Sequence, residues 1–311
     1  MPKDNTFASL FMKNSYSILI VISFFTLFIF ESCDKDEKVV IPSYIFVKPF
    51  KLQTINNSTA QQGDTSHQIL DVWVYIDEGG QKFLGSYGLP ALIPIQKTGK
   101  TILRFAAGVK HSGQEFQRIV YPFYDDYIDT LNLEVLKTDT VEPVVNYSSN
   151  ITFSVEDYDD NTSSSYSIFK SNSYHLGDTL IKINDTRSWK EGKNSALLKL
   201  SDSSYQLDYI SNVKNGLPMG SPIYLEVDYK CNTTFQIGLV CKTTQGDFPF
   251  SVLVVYPNNK WNKLYLDLTD DISSKLNKYG WSTGFQIDFQ ITKHDTQTPE
   301  LFLDNIKLIY R

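Results

Sequence analysis

The chain has 311 residues, a formal net charge of −6 and a mean composition of 41% hydrophobic and 21% charged residues. That acidity excludes a nucleic-acid binder, which needs a basic face to displace counterions, and the apolar content excludes wholesale disorder. Nineteen tyrosines and twenty phenylalanines, with abundant Ile, Val and Thr, favour pleated surfaces and predict an all-β protein.

Residues 18–30 are almost purely Ile, Leu, Val, Phe and Ser. Crossing a bilayer takes roughly 20 apolar residues, so this run is too short to span one. It has the length of a signal-peptide core with Lys13 as its positive flank, and Met12 reads as an alternative start. Phe30-Glu31-Ser32-Cys33 resembles a bacterial lipobox, although Glu31 departs from the small residue usual at its position. The resemblance implies cleavage after residue 32 and acylation of Cys33, several acyl chains giving a stable anchor. The alternative is an ordinary secretory cysteine. The tail Lys35, Asp36 and Glu37 resembles the export signal of Bacteroidota surface lipoproteins. The organisation expected is a signal peptide over 1–32, a lipidated acidic tether over 33–40, and an outer-membrane location exposed at the cell surface.

From Ile41 onward, alternating runs bounded by turn residues predict a β-sandwich over 41–136. In "ILDVWVYID" Leu70, Val72, Val74 and Ile76 share one face, and Asp71, Trp73, Tyr75 and Asp77 the other. Glu78-Gly79-Gly80 supplies a tight reversal. The segment Val74-Tyr75-Ile76-Asp77, Gly85, Leu89 to Pro94, Gly99 to Ile102 and Gly108 resembles the PEGA family of small Ig-like sandwich modules. Trp73 on the polar phase and the "YPFY" run with Tyr121 and Tyr124 are the candidates for contact with a protein partner.

Residues 137–150 are polar, contain Pro143 and alternate little, so they are expected to be a linker. Beyond them, Gly192 and Ser195 before a core strand, Trp261 before "LYLDLT", and Asp304-Asn305-Ile306 in the last strand resemble the jelly-roll modules that include many carbohydrate-binding modules. The resemblance implies a larger jelly roll over 151–311. It also implies a structural Ca²⁺ bringing Glu156 or Asp157 near Asp304; the alternative is a solvated acidic loop. Trp189, Tyr279 and Trp281 are candidates for stacking on sugar rings; the alternative for Trp189 and Trp281 is that they cap the ends of the core. Asp288 alternates with Ile287 and Phe289, facing solvent or the concave sheet. Cys231 and Cys241 fall on alternating runs read as a hairpin, which would separate them by roughly 20 Å and leave both free.

His67, His111, His175 and His294 are scattered, and no nucleophile elbow, phosphate loop or dinucleotide fingerprint occurs. The sequence therefore implies a protein without catalysis or organic cofactor. The first expectation is a scaffold subunit of an outer-membrane assembly, contacted by an outer-membrane protein through the tyrosine-rich first module. The alternative is a surface lipoprotein that binds polysaccharide through the jelly roll.

Overall fold

The computed structural model describes residues 41–54, 62–159, 179–190, 193–278, 282–293 and 298–311. Cys33, Lys35, Asp36, Glu37, Tyr279 and Trp281 lie outside them. The first block folds into eight strands, of which the first, second, third and fifth bury every second residue. The eight are β1 (Ser43–Val47), β2 (Lys51–Gln53), β3 (Asp71–Asp77), β4 (Gln81–Gly88), β5 (Ala91–Ile95), β6 (Gly99–Lys110), β7 (Arg118–Val120) and β8 (Tyr127–Leu133). In β3 the buried face is Val72, Val74 and Ile76; before the strand begins, Ile69 and not Leu70 is the buried residue. The β3–β4 reversal uses Gly79 at φ 78, a left-handed conformation that costs glycine little.

The segment 137–150 is not a linker. It holds β9 (Thr138–Val141), parallel to β1, and β10 (Val144–Asn146), parallel to β2. Its β-branched residues suit a pleated edge, and Val141, Val145 and Tyr147 are buried in the first core. The resulting sheets are β4-β3-β6-β7 with β8 also on β6, β5-β1-β9, and β10-β2.

The second block supplies β11 (Thr152–Glu156), β12 (Thr179–Ile183), β13 (Ser195–Lys199), β14 (Gln206–Ile210), β15 (Ile223–Cys231), β16 (Phe235–Thr243), β17 (Gly246–Val255), β18 (Asn258–Asp267), helix α1 (Thr269–Lys278), β19 (Ser282–Thr292) and β20 (Glu300–Tyr310). One sheet runs β12-β13-β20-β15-β18 with β11 also on β20; the other runs β14-β19-β16-β17. They close as a jelly-roll sandwich over a core that includes Leu225, Val227, Leu239, Ile287, Phe289 and Leu303.

The expected hairpin of β15 and β16 does not form. β15 pairs with β18 and β20, β16 with β17 and β19, so the short connection at 232–234 carries the chain from one sheet to the other. Neither Cys231 nor Cys241 forms a disulfide, and both are buried in the same core, as small hydrophobes. The hairpin register was the wrong reason for that outcome.

Both sandwiches belong to one compact unit, Pro42–Arg311. They meet on the outer face of the six-stranded sheet, where Glu226, Asp228, Lys263 and Lys307 are all buried. Tyr121 Oη donates to Glu226 Oε1 at 2.7 Å, and Tyr147 Oη reaches the same carboxylate at 3.0 Å. Lys263 Nζ lies 3.2 Å from Glu226 Oε2 and donates to Ser66 Oγ at 2.9 Å. Lys307 Nζ donates to the Asp64 carbonyl at 2.5 Å. Burial, then the positive charge of Lys263, pushes the Lys307 ammonium down to about 8. Tyrosine rings pack edge-on around the charges, with Tyr121 4.7 Å from Tyr124 and 4.9 Å from Tyr265. A buried charge is tolerable when paired and hydrogen-bonded in this way.

Candidate functional site

The four-stranded sheet turns one face to the core and the other to solvent. On β16 the core takes Phe235, Ile237, Leu239 and Cys241, and on β19 it takes Phe285, Ile287, Phe289 and Ile291. Period-two alternation therefore sends Gln236 and Gly238, and Gln286, Asp288 and Gln290, to the outer face. The register sets Gln236 opposite Gln290 and Gly238 opposite Asp288. On the flanks Asp208 of β14 lies opposite Gln290, and Val254 and Ser251 of β17 lie opposite Gln236 and Gly238.

These residues form a groove of about 190 Å³ lined by Gln236, Gly238, Ser251, Asp288 and Gln290 among others. Gly238 keeps its floor low. A Cβ there would sit 3.1 Å from the Phe250 carbonyl oxygen and 3.9 Å from Asp288 Cβ. The Phe250 ring packs against the core, with Lys275 Nζ 4.4 Å from its centroid.

The groove's polar groups are unequally satisfied. Asp208 accepts from Gln206 Nε2 through both oxygens at 2.9 Å and from Gln290 Nε2 at 2.8 Å. Asp288 Oδ1 is buried with no hydrogen-bond partner among the described residues. Burial, then the negative charge of Asp208, pushes the Asp288 carboxyl up to about 7. Chemically the face offers carboxamides, carboxylates and a hydroxyl at strand spacing, the complement of a ligand dense in hydroxyl groups.

The residues expected from sequence fall elsewhere. Tyr121 and Tyr124 are buried, at 1% and 6% exposure, so they present no surface to a partner; their rings and hydroxyls are used between the two sandwiches, Tyr124 Oη lying 3.3 Å from Tyr265 Oη. Trp73 does take the outer face of its strand, half-buried, 5.3 Å from the Phe83 ring. Trp189 is half-buried and its backbone N–H donates to Ser195 Oγ of β13, in the sheet that does not carry the groove.

For Ca²⁺, β11 and β20 do pair, but the carboxylates are engaged locally. Glu156 and Asp157 accept the N–H groups of Tyr158 and Asp159 at 3.1 and 3.2 Å. Asp304 accepts from Ser195 Oγ at 2.6 Å and from the Asn305 N–H at 2.7 Å, and burial pushes its carboxyl up to about 8. Among the described residues no three His, Cys, Asp or Glu side chains converge as a metal site. Gln236, Gly238, Gln290 and Asp208 were missed from sequence. For the glutamines the signal was the pair of segments "FQIG" and "FQIDFQI", whose non-core phase carries Gln236, Gln286, Asp288 and Gln290.

With the two β-sandwiches and the groove in place, comparison with known proteins adds the following. No protein-family model and no curated protein matches the sequence. Among solved structures the chain is similar to a single-site mutant of a family 29 carbohydrate-binding module, at 15% identity, 51% of this chain, 91% of that one and a TM-score of 0.32. It is similar to the family 30 carbohydrate-binding module of a cellulosomal cellulase of Clostridium thermocellum, at 18% identity, 45% and 87% coverage and a TM-score of 0.33. It is also similar to the enzymatically active domain of tailspike protein 4 of bacteriophage CBA120, at 13% identity, 52% and 19% coverage and a TM-score of 0.32. The identities are low, and the function proposed below rests on the groove's own residues.

Proposed function

We propose that this protein is a non-catalytic glycan-binding protein that lays a polysaccharide strand across the outer face of the four-stranded jelly-roll sheet. The observation that carries this reading is the ladder of Gln236, Gln290 and Asp288 around the Gly238 floor. Carboxamides give and accept hydrogen bonds at once, which suits a sugar hydroxyl, itself both donor and acceptor. The burial of Tyr121 and Tyr124 takes both tyrosines of the scaffold expectation out of reach of a partner and leaves it Trp73 alone.

Retardation of the purified protein in gels cast with a panel of polysaccharides tests the reading. Gln236→Ala and Gln290→Ala are each expected to weaken retention about tenfold, since a lost hydrogen bond to a neutral group is worth about 0.5–1.5 kcal/mol and 1.4 kcal/mol is a factor of ten. Unchanged retention in both variants, or retention by no polysaccharide in the panel, refutes the groove.

Membrane tethering through acyl chains on Cys33, with Lys35, Asp36 and Glu37 as the export signal, belongs to the same proposal. It is supported by the length and order of the N-terminal segments. Cys33→Ala is expected to abolish incorporation of labelled palmitate and partitioning into detergent; a variant that stays labelled and membrane-bound contradicts the tether.

A further inference from the structure

Three turns meet at one end of the first sandwich: 78–80 after β3, 96–98 after β5 and 134–137 after β8. The strand register gathers them there, with Ser43 opposite Ile95, Tyr44 opposite Thr138 and Gly99 opposite Leu133. The chain enters the fold at the same end. The Leu136 N–H donates to the Pro42 carbonyl at 3.0 Å and the Tyr44 N–H to the Lys137 carbonyl at 2.8 Å. The last turn lifts two apolar side chains into solvent, Val135 at 45% and Leu136 at 68% exposure.

Leu136 is also at odds with its backbone. Its φ is 62, in the left-handed region where the neighbouring turns place Gly79 and Gly99 and where a bulky apolar side chain is strained. Glycine or asparagine would hold this turn in water with less strain, so an exposed leucine kept there points to an apolar surface that it meets. The charges of the three turns are matched: Glu134 pairs with Lys137 at 2.6 Å and Glu78 with Lys97 at 3.0 Å. The end is therefore neutral toward zwitterionic headgroups.

Resting on the tethering reading, we propose that Val135 and Leu136 dip into the bilayer that holds the acylated Cys33, so that the first sandwich stands on the membrane by this end. Only residues 34–41 separate Cys33 from Pro42, a stretch that reaches at most about 30 Å when fully extended. Confinement that close to the surface gives the tip an effective concentration in the millimolar range. Two apolar side chains are too little to recruit a soluble protein, but they suffice to orient an anchored one.

The test places an environment-sensitive nitrobenzoxadiazole dye on Val135→Cys or, as control, on Gln114→Cys. The protein is full-length, acylated and reconstituted into vesicles of phosphatidylethanolamine and phosphatidylcholine. Cys231 and Cys241 are buried, so the introduced thiol takes the dye. Gln114 is exposed, in the turn that follows the other end of β6. The dye at the Val135 position is expected to shift to the blue on reconstitution and to lose at least half its emission to nitroxide-labelled lipid. The dye at the Gln114 position should do neither. Adding Leu136→Asn, which accepts a left-handed backbone, should at least halve the quenching without lowering the urea midpoint.

If the protein floats with the vesicles but the two dye positions behave alike, or Leu136→Asn leaves the quenching unchanged, the seating is wrong while the tether stands. A blue shift without quenching by lipid assigns the tip to a protein surface and also overturns the inference. If the protein does not float, the tether fails and the seating falls with it.

Discussion

Replacing Lys263 with methionine is expected to cost about 3–5 kcal/mol of unfolding free energy, because removing one partner of a buried ion pair strands the other. Lys263 is 7% exposed and lies 3.2 Å from Glu226 and 3.8 Å from Asp228. Without it, Glu226 keeps hydrogen bonds from Tyr121 and Tyr147 but loses its paired cation. The double variant Lys263→Met with Glu226→Gln is expected to recover a good part of the loss, since an amide oxygen still accepts from the tyrosines without a buried charge. Urea unfolding of the wild type, both single variants and the double variant gives the coupling directly. A loss below about 1 kcal/mol in Lys263→Met would place that ammonium in water and contradict the buried junction.

Asp288→Asn is expected to stabilise the protein at alkaline pH and to leave it nearly unchanged in acid. The folded carboxyl sits at about 7 against an ordinary 3.8, so between those values the folded state binds the extra proton and stability falls as pH rises. The stabilising effect of the proton is complete below the unfolded value and gone above the folded one. The asparagine removes that slope, worth about 4 kcal/mol when complete. A shallower decline should persist, because burial also raises Asp304, to about 8. Thermal or urea unfolding of both proteins across this pH range tests it. Parallel stability curves would mean that Asp288 titrates as an ordinary surface acid.

Strands and their buried faces were legible because the period-two signal is local. Val72, Val74 and Ile76, or Phe235, Ile237 and Leu239, identify their faces without reference to neighbours. Pairing was not legible, since the same alternation in β15 and β16 fits a hairpin as well as two strands in opposite sheets. Glu226 and Asp228 occupy the phase that reads as solvent-facing, yet the first sandwich covers them. The better clue lay in β20, where "ELFLDNIKLIY" is buried at almost every position, as a strand covered on both faces must be. Tyr121 and Tyr124 were misread for the same reason: an aromatic run signals an interface, but not whether the partner is another chain or another part of the same one. Of the groove, Asp288 was visible by phase. Its companions Gln236 and Gly238 become neighbours only through the β16–β19 register.

The strand β20 also governs when this protein can fold. It pairs with β13 and β11 along one edge and with β15 along the other, and its Lys307 reaches back to Asp64. Residues 300–310 are thus the keystone of the jelly roll and a clasp on the first sandwich, yet they leave the ribosome after every other strand described. A nascent chain without them holds β11, β13 and β15 with no common neighbour, and the long separation between partners slows the search once they arrive. Until then, the strand edges that β20 will cover are open to pairing with other chains.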